Sequence, residues 1–158
     1  MNVRALVNQY KKKKDAVQQI KRTKQVKMIG SSMLPILDPN EISILFVTEC
    51  SEYEVGNIVV FEYENSVPGF SVHRIIRLEG DNVLTKGDNN LQFDDVVDRK
   101  AIIGKIEKAL SNNGTFHNVK TSKIIAWLSR CESDVEKVLS KKIVVLVHCL
   151  LAKIYIWF

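Results

Sequence analysis

Cysteine is scarce: three residues, at positions 50, 131 and 149, with no Cys-x-x-Cys spacing. That pattern argues against a disulfide framework or a zinc site and fits a reducing compartment, with the thiols acting as small buried hydrophobes. Seven glycines and three prolines in 158 residues are too few for a collagen-like or loop-dominated chain. The first 30 residues lack the apolar core of a secretory signal peptide. No internal repeat is present, and a single lysine run is the only low-complexity tract. No cofactor motif and no metal-ligand spacing appears.

What is present is unevenly charged. Residues 1–27 hold nine Lys/Arg and one acid, a net charge of +8, whereas residues 28–158 are mildly acidic at −3. A basic arm of this kind suits an anionic lipid surface or an acidic partner, or is simply a solvated helix face. Tyr10 is its only aromatic residue, so the stacking platform of a single-strand binder is missing and no nucleic-acid partner is expected. At the other end, Ile143 to Phe158 reads IVVLVHCLLAKIYIWF, interrupted only by His148 and Lys153. A helical span needs about 20 apolar residues. This run therefore suits a membrane-associated helix, a helix docked on the chain's own body or, at the limit, a short span, with Lys141 and Lys142 as basic anchors.

The texture divides the chain into three: a basic helical arm over 1–24, a β domain over 25–120 and a helical C-terminal segment with an apolar tail over 121–158. Apolar spacing predicts the arm's helix over 2–22. Short runs rich in β-branched and aromatic residues predict strands at Val26–Ile29, Ile42–Val47, Asn57–Tyr63, Phe70–Leu78, Asn82–Thr85 and Ala101–Ala109. Turn residues such as Pro-Asn, Glu-Gly-Asp and Asn-Asn-Gly separate them. Ser122 caps a predicted helix to about Arg130, and Ser133 a second to about Ser140. The fold class is mainly β, a sheet or barrel with helices at both ends.

Three stretches carry potential chemistry. Gly30-Ser31-Ser32-Met33-Leu34-Pro35 sets hydroxyls on a turn after a strand, where the backbone holds a serine and its N–H can face a reacting carbonyl. Read alone, this is a strand-to-turn junction with a capping serine. His73 lies within a strand, an ordinary core or edge position unless a nucleophile and an acid share its surroundings. Lys86-Gly87-Asp88-Asn89-Asn90 reads first as a turn and, with Asp94-Asp95, supplies carboxylates able to hold an imidazole in one tautomer.

In this chain order the pieces resemble the type I signal peptidases over residues 26–107. Ser32-Met33 and Pro35 match that family's nucleophile box, Gly-x-Ser-Met-x-Pro. Gly56 with Asn57-Ile58-Val59-Val60-Phe61 resembles its Gly-Asp-Ile-Val-Val-Phe strand, His73-Arg74-Ile75-Ile76 its general-base box, and Thr85 to Asn90 with the Asp pair its acidic box. Histidine where the common bacterial enzymes have lysine points to the branch of endoplasmic-reticulum, archaeal and sporulation-type enzymes. Self-cleaving Ser-Lys repressors share the β fold, but their base differs and they carry a helix-turn-helix arm.

The resemblance implies a serine endopeptidase that removes a leader or signal segment from a precursor peptide. It implies Ser32 as nucleophile, His73 as general base, and an orienting acid that is either Asp95, favoured, or Asp88. The oxyanion donors would be the Ser32 N–H and, because Gly30 stands where some members carry a hydroxyl, Ser31. A serine needs such a base to attack, and an imidazole suits neutral pH. Asn40-Glu41 and Asn57 depart from the family pattern at turn positions. A basic helix stands where the family's membrane anchor usually lies, so the expected location is cytoplasmic or peripheral to a membrane. The alternative function is a non-enzymatic regulatory or peptide-binding module on the same β fold.

Overall fold

A computed structural model describes residues 23–27, 29–62 and 69–135. The helix expected over 2–22 and the apolar run 143–158 lie outside the described residues. Eight strands form one antiparallel sheet that curls into a half barrel: β1 (Thr23–Lys27), β2 (Ile42–Thr48), β3 (Ile58–Glu62), β4 (Phe70–Glu79), β5 (Asn82–Lys86), β6 (Val97–Asp98), β7 (Ile102–Ser111) and β8 (Phe116–Asn118). Their order is β1-β2-β7-β3-β4-β5-β6, with β8 pairing on β7. The mainly β expectation is met. β6 and β8 were not foreseen, and β1 opens at Thr23, inside the span assigned to the arm.

β3 explains the layering. Successive strand residues point to opposite faces. Ile58 and Val60 enter one cluster with Met33, Leu37, Leu45 and Val47, while Val59 and Phe61 enter a second with Ile75, Val83 and Val97. These four of the five β3 residues are fully buried, so the run IVVF shows no alternation and reads as a strand covered on both sides. Each such side chain stabilises the fold by roughly 1.5–3 kcal/mol. Met33 and Leu37 fasten the serine turn to the first cluster.

Among the described residues one α-helix, α1 (Lys123–Val135), packs on β4. The Ile125 N–H donates to Ser122 Oγ at 3.1 Å, the N-cap bond expected of that serine. Ile125, Ala126 and Ser129 face the sheet. Lys86 Nζ donates to the Ser129 carbonyl at 3.0 Å and Arg130 Nη2 to the Ile76 carbonyl at 2.8 Å. The predicted break near Arg130 does not occur, and α1 runs through Ser133. No Gly or Pro separates the two predicted helices, and a serine caps a helix only where the backbone has already left it.

Gly56 ties the start of α1 to the sheet. Its φ is +96°, and a Cβ there would lie 2.6 Å from the Ser122 carbonyl carbon, so both conformation and space require glycine. Asn57, the departure in the strand box, proves structural: its Oδ1 accepts from the Glu54 N–H at 3.0 Å and its Nδ2 donates to Thr121 Oγ1 at 2.8 Å. Asn40 and Glu41 likewise brace a loop, accepting at their carbonyls from Asn112 Nδ2 and the Asn112 N–H. Among the described residues, no helix is long and apolar enough to cross a membrane.

Candidate active site

His73 lies on β4 directly opposite Val59 of β3, with Ser71 opposite Phe61. The Phe61 ring therefore sits diagonally across from the imidazole, edge-on, with centroids 6.1 Å apart. Only about a tenth of the His73 side chain is exposed. Its Nδ1 donates to Asp94 Oδ2 at 2.6 Å. Because an ionised carboxylate only accepts, this bond sets the proton on Nδ1 of the neutral ring and the lone pair on Nε2. The same Asp94 oxygen accepts from Thr85 Oγ1 at 2.6 Å, and the Asp94 N–H donates to the Thr85 carbonyl at 2.9 Å. Thr85 is fully buried on β5, opposite Ile75 of β4. Asp94 is thus fixed at both backbone and side chain. A shallow open cleft of about 600 Å³, lined by residues 89–95, adjoins it.

Neither acid predicted for His73 holds it. Asp95, the favoured one, is exposed beside Asp94. The Asp94 N–H bond to Thr85 places the first residue of the Asp pair, not the second, at the imidazole. Asp88 points elsewhere. Arg74 Nε donates to its Oδ1 at 2.8 Å and Arg74 Nη2 to its Oδ2 at 2.6 Å, while Arg74 Nη1 donates to the Gly56 carbonyl at 2.7 Å. Both side chains of this forked pair are fully buried. Asp88 therefore joins the acidic turn to β4 one residue beyond His73, a structural task.

Ser32 is half-buried on the turn between β1 and β2, and Ser31 is exposed. The Leu34 N–H donates to the Ser31 carbonyl at 3.2 Å and the Leu37 N–H to the Met33 carbonyl at 2.9 Å, which closes the turn. The turn rests on the acidic box. The Asn89 N–H donates to the Ser32 carbonyl at 2.7 Å, and Asn89 Nδ2 to the Ser31 carbonyl at 3.1 Å. A Cβ on Gly87 would lie 2.7 Å from the Ser32 carbonyl oxygen. The last registered β4–β5 pair on this side is Arg74 with Lys86. Gly87 directly follows that pair, just beyond the end of β5, and its empty side-chain direction faces the serine turn. Among the described residues, no hydrogen bond joins Ser32 Oγ to His73. Catalytic hydrogen bonds are often unmade until substrate binds.

Chemically, the arrangement offers a tautomer-fixed imidazole whose Nε2 is not buried without a partner, since Ser129 Oγ is the sole such atom among the described residues. It also offers a hydroxyl residue on a braced turn next to the strand pair that carries that imidazole. Among the described residues no three or more His, Cys, Asp or Glu side chains gather as metal ligands. Sequence reasoning missed Thr85 and Arg74 as contributors and, within the Asp pair it had offered to the imidazole, favoured Asp95 over Asp94. Thr85 and Arg74 lie inside the quoted boxes, and Asp94 inside the quoted pair. Comparison with known proteins finds no matching family model, no matching curated protein and no matching solved structure.

Proposed function

We propose that this protein is a serine endopeptidase with a Ser32–His73–Asp94 catalytic set, cleaving a leader or signal segment from a precursor peptide by acyl transfer. The observation that carries the reading is the 2.6 Å bond from His73 Nδ1 to an Asp94 anchored on Thr85. An acid so placed orients the imidazole and stabilises the imidazolium formed when it takes the serine proton. Ser32 Oγ attacks the scissile carbonyl carbon and its proton passes to His73 Nε2. The C–N bond then breaks as that proton moves to the leaving amine, and water repeats the sequence to release the acyl group. The Ser32 N–H donates to the oxyanion. The motif order that resembles the signal peptidases supplies the substrate class.

A fluorophosphonate probe tests the reading. It labels the native chain, and both Ser32→Ala and His73→Ala abolish labelling while the domain stays folded. Because the two act as a unit, the double variant loses no more than either single one. Labelling that survives Ser32→Ala but not Ser31→Ala would overturn the nucleophile. A peptide-binding module without catalysis would leave the native chain unlabelled.

We also propose that the enzyme works at an anionic membrane surface, held by the basic arm and by residues 143–158. The support is compositional: an apolar run with a polybasic segment is a two-signal arrangement for peripheral binding.

A further inference from the structure

The peptide unit is planar and trans, so the direction of one carbonyl fixes the opposite direction of the next N–H. Two peptide planes flank Ser32. In the first, the Ser31 carbonyl shares a plane with the Ser32 N–H; in the second, the Ser32 carbonyl shares a plane with the Met33 N–H. Asn89 donates to both carbonyls, through its side-chain amide at 3.1 Å and its backbone N–H at 2.7 Å. One bond would leave the turn free to pivot; two on consecutive carbonyls do not. Among the described residues, neither the Ser32 nor the Met33 N–H is bonded to another backbone carbonyl across the turn. Both therefore point away from Asn89; Met33 is fully buried, so the N–H of the half-buried Ser32 is the one left open to a ligand.

Asn89 is itself fixed. Its neighbour Asp88 is fully buried and forked to Arg74, the residue after His73. A continuous path thus runs from the base strand through Arg74, Asp88 and Asn89 to the two carbonyls of the serine turn. We infer that Asn89 is a positioning residue that aims the Ser32 backbone N–H at the reacting carbonyl oxygen. The inference rests on Ser32 being the nucleophile. Removing a single oxyanion donor costs roughly 100-fold or more in rate. Loosening the plane that carries one, while its other carbonyl bond persists, costs less.

The test follows fluorophosphonate labelling over time and records rate and final extent separately, since the phosphoryl oxygen occupies the oxyanion position. Asn89→Ala labels to the native extent at a rate lowered about 10-fold, through the maximal rate and not the half-saturating probe concentration. The pH midpoint of labelling is unchanged, because the His73–Asp94 pair is untouched. Asn89→Asp, which sets a carboxylate against the Ser31 carbonyl, is slower still, and Asn89→Gln, which keeps an amide donor, recovers part of the rate. Native labelling rates in Asn89→Ala would overturn the inference. So would a smaller final extent that tracks a lowered melting temperature, which marks a merely structural role. A native chain that is labelled no faster than Ser32→Ala removes the nucleophile and the inference with it.

Discussion

His73 Nδ1 and Asp94 Oδ2 lie 2.6 Å apart, and the oxygen that accepts the imidazole proton also accepts the Thr85 hydroxyl. Two donors on one carboxylate oxygen hold the acid in a single orientation, so the ring finds a fixed acceptor for Nδ1 and turns over only by breaking that bond. Asp94→Asn lowers the rate of serine labelling by roughly 1,000- to 10,000-fold, because an amide can donate to Nδ1 and favour the wrong tautomer. Thr85→Val, which keeps the shape and removes one donor, costs about 10-fold, on the order of one ordinary hydrogen bond. Asp95→Asn stays within a few-fold of the native rate. Equal losses at Asp94 and Asp95 would contradict the assignment.

The strands were legible because alternation and β-branched runs survive without tertiary information. The predicted Ile42–Val47, Phe70–Leu78 and Asn82–Thr85 each end one residue short of the observed strands. β6 and β8, two and three residues long, are below the length at which a period of two can be seen. The orienting acid was not legible for a different reason. Asp94 and Asp95 are chemically identical neighbours in a loop, and a backbone bond to Thr85 chooses between them. Asp88, kept open as the alternative acid, forks to Arg74 instead, a pairing that follows from the β4–β5 register, in which Arg74 pairs with Lys86. A turn sequence read by itself does not contain that register.

The Arg74–Asp88 pair is a stability element, and its removal is measurable. Two fully buried charges satisfy each other and the Gly56 carbonyl. Removing one partner leaves the other charge buried and uncompensated. Arg74→Ala or Asp88→Ala destabilises the domain by about 3–5 kcal/mol, a large part of an ordinary domain's total of roughly 5–15 kcal/mol. Arg74→Met combined with Asp88→Leu loses less than the two single changes added together. Urea unfolding of the three variants measures this. A cost below about 1 kcal/mol for either single change would show the pair to be solvated.

Tyr53 gives the fold a titration at high pH. Burial pushes its phenol up from 10.0 to about 12, and the charge of Cys50 and a hydrogen bond with it add to the rise, while Arg99 opposes it. The Arg99 guanidinium lies over the Tyr53 ring, 5.5 Å from its centroid. The folded state thus holds the phenolic proton more tightly than the unfolded one. That contribution to stability is complete below about pH 10, the ordinary range of a phenol. It is lost as the pH climbs through about 12. Ultraviolet absorbance of phenolate shows a tyrosine step near pH 12 in the native chain, and Tyr53→Phe removes it. A step that persists in Tyr53→Phe belongs to another tyrosine.

The proposed membrane binding predicts a salt signature. Each Lys or Arg near an anionic surface contributes about 1 kcal/mol, and salt screens it, whereas an apolar segment in the acyl region is indifferent to salt. The run 143–158 supplies the apolar part, and α1, which precedes it in the chain, exposes Ile124 and Trp127. The intact protein therefore floats with anionic vesicles at low salt and is partly retained at high salt. Deleting 143–158 abolishes the salt-resistant fraction, and neutralising Lys11 to Lys14 removes much of the salt-sensitive one. If that run instead covers an apolar face of the β body, the deletion yields an aggregating protein and the intact chain ignores vesicles. Flotation of the intact protein decides between the two: none at low salt ends the membrane reading and leaves the run as a part of the fold.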